Sequence, residues 1–147
     1  MTPKNDFRMT VESRSVNEAF VRSTVAAFAS PLDPTVEQVA DIKTAVSEAV
    51  TNCIVHAYPE CIGKIYIRCT LYDENIMKIS VRDRGCGIAD VKKAREPLYT
   101  TLGGERAGLG FAVMESFTDS VKVTSRVGKG TSVTMIKRLK GRHEQAD

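Results

Sequence analysis

The segment PTVEQVADIKTAVSEAVTNCIVHAY, residues 34 to 58, decides the fold. It offers two helix starts: Pro34 at the first helical position after Asp33, or Thr35 as a cap with Gln38 three residues on. Val39, Ile42, Val46, Ala49, Val50 and Cys53 then recur as an apolar seam, so one long helix is predicted to run to about His56, where Pro59 and Gly63 forbid continuation. Along the same helix Glu48, Asn52 and His56 recur at every fourth position. At about 100° per residue they fall within about 80° of one another. A carboxylate, a carboxamide and an imidazole on one side of a core helix point to chemistry.

Working outward, FRMTVES (7 to 13) alternates as a strand, and residues 16 to 30 read as an amphipathic helix. Val16, Phe20, Thr24, Ala27 and Phe28 are predicted to face inward, and Glu18 and Arg22 outward. Beyond the long helix, KIYIRCTLY (64 to 72) and IMKISVRD (76 to 83) form a predicted hairpin through DEN. A Gly-rich, charged stretch fills residues 84 to 108, and Phe111 to Phe117 suits a short helix. VKVTSRV (121 to 127) and TSVTMIKRL (131 to 139) then flank the turn GKG. This order predicts an α+β fold: a two-layer sandwich whose mixed, mostly antiparallel sheet is covered on one face by helices. One domain is expected over residues 1 to 147.

Composition narrows the function classes. With 42% hydrophobic and 27% charged residues, the chain has the makings of a real core. A net charge of +3 argues against direct nucleic-acid binding; the one basic cluster, IKRLKGRH (136 to 143), reads as a solvated end. No apolar run approaches the roughly 18 residues of a membrane span, and MTPKNDFR has no signal-peptide core, so a cytoplasmic protein is expected. Cys53, Cys61, Cys69 and Cys86 lack C-x-x-C spacing and read as reduced, mostly core thiols.

The remaining polar groups sit at element ends. DRGCGI (83 to 88) follows an apolar strand, and its glycines let backbone approach a flat ligand closely. Asp83 there can accept from the exocyclic amine of a base; the alternative is a tight turn. GGERAGLGF (103 to 111) has the composition of an anion cradle at a helix N-terminus, with Arg106 adding charge; the alternative is a flexible loop. With a base by Asp83 and phosphates by Gly108 to Gly110, a divalent cation would need hard oxygen ligands, and Asn52 supplies a carbonyl. Glu48 is placed to orient or deprotonate a hydroxyl nucleophile. Taken alone, E-x-x-x-N would be a solvated helix face.

EAVTN (48 to 52), DRGCG (83 to 87), GLG (108 to 110) and GT (130 to 131) resemble the N box, the G1 and G2 boxes and the closing threonine of the family uniting DNA gyrase, Hsp90, histidine kinases and MutL. Within it, LDPT (32 to 35), IKTAVSEAVTN (42 to 52), PLYTT (97 to 101) and ERAGLGF (105 to 111) resemble the small bacterial anti-sigma serine kinases, most of all their sporulation branch. The resemblance covers roughly residues 7 to 139. It implies a Bergerat-type left-handed βαβ sandwich, ATP or ADP with Mg²⁺, a homodimer, capture of a sigma-F-like sigma factor, and phosphorylation of a serine on an anti-anti-sigma protein.

The resemblance also implies residue roles. Glu48 matches the general base, Asn52 the magnesium ligand, Asp83 the adenine anchor, and Gly85 and Gly87 the platform beneath the ring, with Thr131 beside it. Gly108, Leu109 and Gly110 match the phosphate loop, Arg106 the sensor of the terminal phosphate, and Thr100 and Thr101 the lid contacts. Glu18 and Arg22, one turn apart and facing outward, read alone as an i,i+4 ion pair; since a kinase this small must hold a sigma factor on some face outside the nucleotide pocket, the resemblance points to them as partner surface. His56 matches no role. The lid, TTLGGERAG, departs from relatives by a glycine pair, which puts the Thr100 and Thr101 contacts in question. Other readings are a stress-response kinase of the same family, an ATPase driving conformational work, and an ATP-gated binding module. An ATPase of the gyrase type needs a transducing domain for which 147 residues leave no room. Neither histidine begins a phosphoacceptor-helix pattern, which disfavours a two-component histidine kinase.

Overall fold

The computed structural model describes residues 2–96 and 104–140, and of residues 104–108 the helical backbone alone. In chain order it holds β1 (Pro3–Glu12), α1 (Asn17–Phe28), α2 (Val36–Asn52), β2 (Lys64–Tyr72), β3 (Ile76–Asp83), α3 (Val91–Ala94), α4 (Gly104–Phe117), β4 (Ser120–Arg126) and β5 (Gly130–Arg138).

Of the two possible starts for α2, Thr35 is the one used. Its Oγ1 accepts the Gln38 N–H at 3.1 Å, while Gln38 Oε1 accepts the Thr35 N–H at 3.1 Å, closing a capping box. Thr35→Ala is expected to remove about 1 kcal/mol of unfolding free energy, read as a lower denaturation midpoint at unchanged slope. The helix buries Ile42, Ala45, Val46, Ala49 and Val50, following the predicted seam. It leaves α-geometry earlier than predicted, because Cys53–Ala57 form a single π-helical turn.

The sheet runs β1-β2-β3-β5-β4, the mostly antiparallel sheet that was predicted, and is antiparallel at every pairing with no parallel pair to make it mixed. The physical reason lies in the crossover: the chain passes through α4 to β4, and β5 then folds back between β4 and β3, so no parallel pair becomes adjacent. Ile65, Ile67, Cys69 and Leu71 alternate inward on β2, as do Met77, Ile79 and Val81 on β3 and Val133 and Met135 on β5. A slip of one residue would turn all of them out, so this alternation sets the register. They meet Val21, Val25, Ile42, Val46, Phe111 and Met114 of the helical layer in one core. Among the described residues no helix is long and apolar enough to cross a membrane.

Four expectations are corrected. The first concerns the phase of α1: the buried stripe is Val21, Val25, Ala26 and Ala29, whereas Val16 and Phe20 are 76% and 57% exposed and Ala27 is exposed. The stripes differ by one residue, about 100° of helix. Small and β-branched groups let α1 lie close on α2, while Phe28 turns edge-on to Phe7 of β1 with ring centroids 4.6 Å apart. Glu18 and Arg22 therefore do not face away from the core but lie on the shoulder of its buried side.

The second is α4, which begins at Gly104 rather than Phe111. Glu105, Arg106, Ala107 and Leu109 are good helix formers, and the glycines between them cost only about 1 kcal/mol each. Third, the basic cluster near the C-terminus is not simply a solvated end. Ile136 to Arg138 belong to β5, and Lys137 Nζ donates to the Phe117 carbonyl at 2.8 Å beside Asp41 Oδ2 at 3.6 Å. Fourth, all four cysteines are free, but only Cys53 and Cys69 are core thiols; Cys61 and Cys86 are exposed.

Candidate nucleotide-binding site

The site grows from the C-terminal end of α2. Spaced four residues apart, Glu48 and Asn52 lie on the same face, which meets α4. A Cβ on Gly110 would stand 3.1 Å from Glu48 Oε2, 3.2 Å from Asn52 Oδ1 and 3.3 Å from Asn52 Nδ2. Glycine is what lets the α4 backbone come this near both side chains. Asn52 Nδ2 is buried and has no hydrogen-bond partner among the described residues. A buried amide donor left without an acceptor costs free energy unless something else satisfies it.

Gly110→Ala tests that proximity. Alanine favours the helix by about 1 kcal/mol, while the tight contacts are with movable ends of side chains, so the melting temperature should change little. Displacement of Glu48 and Asn52 should still lower nucleotide affinity by about tenfold, read by calorimetry.

Asp83 ends β3 and, at 6% exposed, is the charged member of the three buried polar residues among the described ones. Its Oδ1 accepts the backbone N–H groups of Gly85 at 2.9 Å and Thr131 at 3.1 Å, and its Oδ2 accepts from the Cys53 thiol at 3.6 Å. Burial pushes its carboxyl above the ordinary 3.8, partly opposed by the Gly85, Thr131 and Cys53 hydrogen bonds. Burial likewise pushes the Cys53 thiol well up, with the Asp83 charge adding to it, so Cys53 stays a donor. Oδ1 is thus occupied twice, and Oδ2 holds only a weak thiol bond.

The π-turn fixes the loop after Asp83. Its widened geometry aims the Ala57 carbonyl at the Cys86 N–H, 3.2 Å, and the His56 carbonyl at the Cys86 thiol, 3.1 Å. Such π-turns recur at functional sites because they re-aim groups without ending the helix. Buried Tyr58 ties the two segments: its hydroxyl accepts the Arg84 N–H at 2.7 Å and donates to the Lys64 carbonyl at 2.7 Å. Gly85 packs so near the turn that a Cβ would lie 2.3 Å from the Ala57 oxygen, and Gly87 takes a φ of +78° against the Arg126 carbonyl. Both glycines are required by the fold of the loop whether or not a base lies over them.

The Thr131 hydroxyl is 2.7 Å from Ser125 Oγ, opposite it in the β4–β5 hairpin, and Ser125 Oγ also accepts the Ile88 N–H at 2.7 Å. Ser125 and Cys53 carried no predicted role. Ser125 was legible in principle, since hairpin register alone pairs it with Thr131. The Cys53–Asp83 contact joins residues 30 apart and has no local signature.

Of the other predicted residues, Leu109 is half exposed, and Gly108 and Gly110 lie inside α4 rather than ahead of it. The expected free N–H groups of a helix N-terminus therefore do not fall at Gly108 to Gly110, because the helix starts earlier. Thr100 and Thr101 lie outside the described residues, as does the Arg106 side chain. Arg22 Nη1 donates to both Glu18 carboxylate oxygens at 2.8 and 2.9 Å, and these side chains are 39% and 22% exposed. Among the described residues no group of three or more His, Cys, Asp or Glu could hold a metal ion.

Residues 10–137 match the model of the histidine kinase-like ATPase domain. The anti-sigma F factor of Caldanaerobacter subterraneus subsp. tengcongensis is 59% identical over 128 residues, covering 86% of this chain and 89% of the relative. That of Bacillus subtilis is 46% identical over 138 residues, covering 92% and 94%. Among solved structures, the RsbU and RsbW domains of Rv1364c from Mycobacterium tuberculosis superpose with a TM-score of 0.69 at 22% identity, over 95% of this chain and 34% of that one. The histidine kinase domain of Erythrobacter litoralis EL346 does so at 0.59 and 19% identity, over 89% and 62%. These two show the fold alone. A fold built to present Asp83 and the Glu48–Asn52 pair, the family match and the relatives converge: the chain belongs to the histidine kinase-like ATPase family, in the branch of the anti-sigma F factors.

Proposed function

We propose that this chain is an ATP- and Mg²⁺-dependent protein serine kinase that phosphorylates an anti-anti-sigma partner, and an anti-sigma factor that holds a sigma-F-like sigma factor. It acts as one cytoplasmic domain over residues 1 to 147 and as a homodimer. The observation that carries the reading is the meeting of Glu48, Asn52 and Gly110, next to the residue that contacts Asp83. Asp83 Oδ2 accepts the exocyclic amine of adenine, and the phosphates extend toward α4. The Asn52 Oδ1, beside Glu48 at Gly110, is an oxygen ligand of the kind Mg²⁺ takes, a hard cation that needs few protein oxygens because phosphates and waters complete its shell, and the unpartnered Asn52 Nδ2 is a donor left for a phosphate oxygen. Mg²⁺, when bound, neutralises phosphate charge. Glu48 accepts the serine hydroxyl proton as the serine oxygen bonds to the terminal phosphorus and the bond to ADP breaks. Gly108, Leu109, Arg106, Thr100 and Thr101 complete the phosphate side, and Gly85, Gly87 and Thr131 the base side.

Calorimetry tests the base reading. ATP and ADP should bind with Mg²⁺ and GTP about a hundredfold more weakly, because guanine does not present an amine at the same place. Equal affinities would remove Asp83 from base recognition.

The partner surface includes Glu18 and Arg22. Arg22→Glu should weaken sigma-factor binding by about tenfold or more at unchanged ATP affinity. Because it sets like charges against each other where an ion pair stood, it should also lower stability by roughly 0.5 kcal/mol. Parent-like titration of the sigma factor would move the surface elsewhere.

A further inference from the structure

Helices cover one face of the sheet, and none of the described helices covers the other. Its side chains follow from the register. One transverse row reads Arg8, Arg68, Ser80, Thr134, Lys122 across all five strands, and the next reads Thr10, Tyr66, Arg82, Ser132, Thr124. Lys78 lies on one side of these rows and Arg126 on the other. The acids of this face, Asp6 and Glu12, sit on edge strand β1 and are engaged by Arg68 and Arg14, each at 3.0 Å. Among the described residues Arg8, Lys78, Arg82, Lys122 and Arg126 form no ion pair. Two concavities indent the face, one of about 420 Å³ between β1, β2 and β3 and one of about 340 Å³ toward the β4–β5 hairpin; Arg82 and Ser132 line both. A chain of net charge +3 thus concentrates far more than its average positive charge on one open surface.

We propose that this uncovered face is a docking surface for an acidic polypeptide segment of a partner protein, laid across the strands. Five strands about 4.8 Å apart make a face about 20 Å wide, which about six extended residues would cross. Such a segment meets cations at both ends of the Arg8–Lys122 row and hydroxyls in its middle. Charge complementarity of this kind steers encounter and sets register. A second copy is disfavoured, because two such faces would oppose like charges. A nucleic acid fits less well: Arg82 and Arg84 both lie 5.0 Å from the centroid of Tyr66, so the aromatic at the centre of the face is already engaged and offers a poor stacking platform. The inference does not rest on the nucleotide reading.

The test titrates the full chain into a labelled peptide of about ten alternating Glu and Ser residues, followed by fluorescence anisotropy at about 50 mM and 150 mM salt. An oligothymidylate of equal charge is titrated alongside. The parent should bind the peptide more tightly than the oligonucleotide, with affinity falling as salt rises. Arg8→Glu/Lys122→Glu should weaken peptide binding by about tenfold or more, and Arg8→Gln/Lys122→Gln by an intermediate factor. Lys43→Glu/Lys92→Glu, the same change of charge on the helical layer, should leave it within about twofold, and ATP affinity should be unchanged in all three. Parent-like binding by both doubles on the sheet face, equal loss from the helical-layer double, tighter binding of the oligonucleotide, or no peptide binding at all would each overturn the proposal.

Discussion

Replacing Glu48 by Gln is expected to lower phosphotransfer by about a hundredfold or more while ATP and sigma-factor affinities stay within about twofold. The substitution keeps the shape of a side chain that stands against Gly110 and beside Asn52. It removes the capacity to take up a proton and leaves the donors and acceptors of the Asp83 pocket untouched. Binding and chemistry therefore separate. Single-turnover transfer from ATP to the serine substrate measures the loss directly. Asn52→Ala should behave differently, weakening Mg²⁺-dependent nucleotide binding itself. If Glu48→Gln transfers phosphate at the parent rate, Glu48 is not the base.

Asp83→Asn is expected to weaken ATP by about two orders of magnitude or more, because the carboxylate oxygen left for the base becomes an amide donor facing the exocyclic amine. Its effect on folding should have the opposite sign. The remaining oxygen still accepts from the Gly85 and Thr131 N–H groups, so the loop keeps its anchors. Burial holds the Asp83 carboxyl above 3.8, so the folded protein retains a proton that the unfolded chain releases. Stability is therefore lost as pH rises through that window, and the variant has no such proton to lose. The unfolding free energy of the variant relative to the parent should rise from about pH 4 upward and then level off, measured by urea titration at each pH. A variant that loses ATP and also unfolds at neutral pH would show that Asp83 holds the loop rather than the base.

The periodic features of the fold were legible because their signal is local. Thr35 and Gln38 announce their capping box, the α2 seam repeats at helical spacing, and the two hairpins follow from alternating strands and short turns. In α1 the expected inward set, Val16, Phe20, Thr24, Ala27 and Phe28, was out of phase by one residue. Packing chose the Val21–Val25–Ala29 stripe, a choice made by the distance between α1 and α2 and not by α1 alone. The site divided in the same way. Glu48, Asn52 and Asp83 stood out as polar groups at buried or element-end positions. The π-turn, the Cys53 thiol on Asp83 and the Ser125 lock on Thr131 depend on contacts between distant segments, which no spacing encodes. The early start of α4 shows the limit of glycine as a stop signal when helix formers surround it.

Phosphotransfer to serine can be followed atom by atom. The purified chain, ATP labelled at the terminal phosphate, Mg²⁺ and an anti-anti-sigma protein are mixed, and the label is located by residue. The label is expected on a serine of that protein, dependent on Mg²⁺ and on Glu48, with ADP as the other product. Tight ATP binding with no label on the protein, or release of label only as free phosphate, would contradict it.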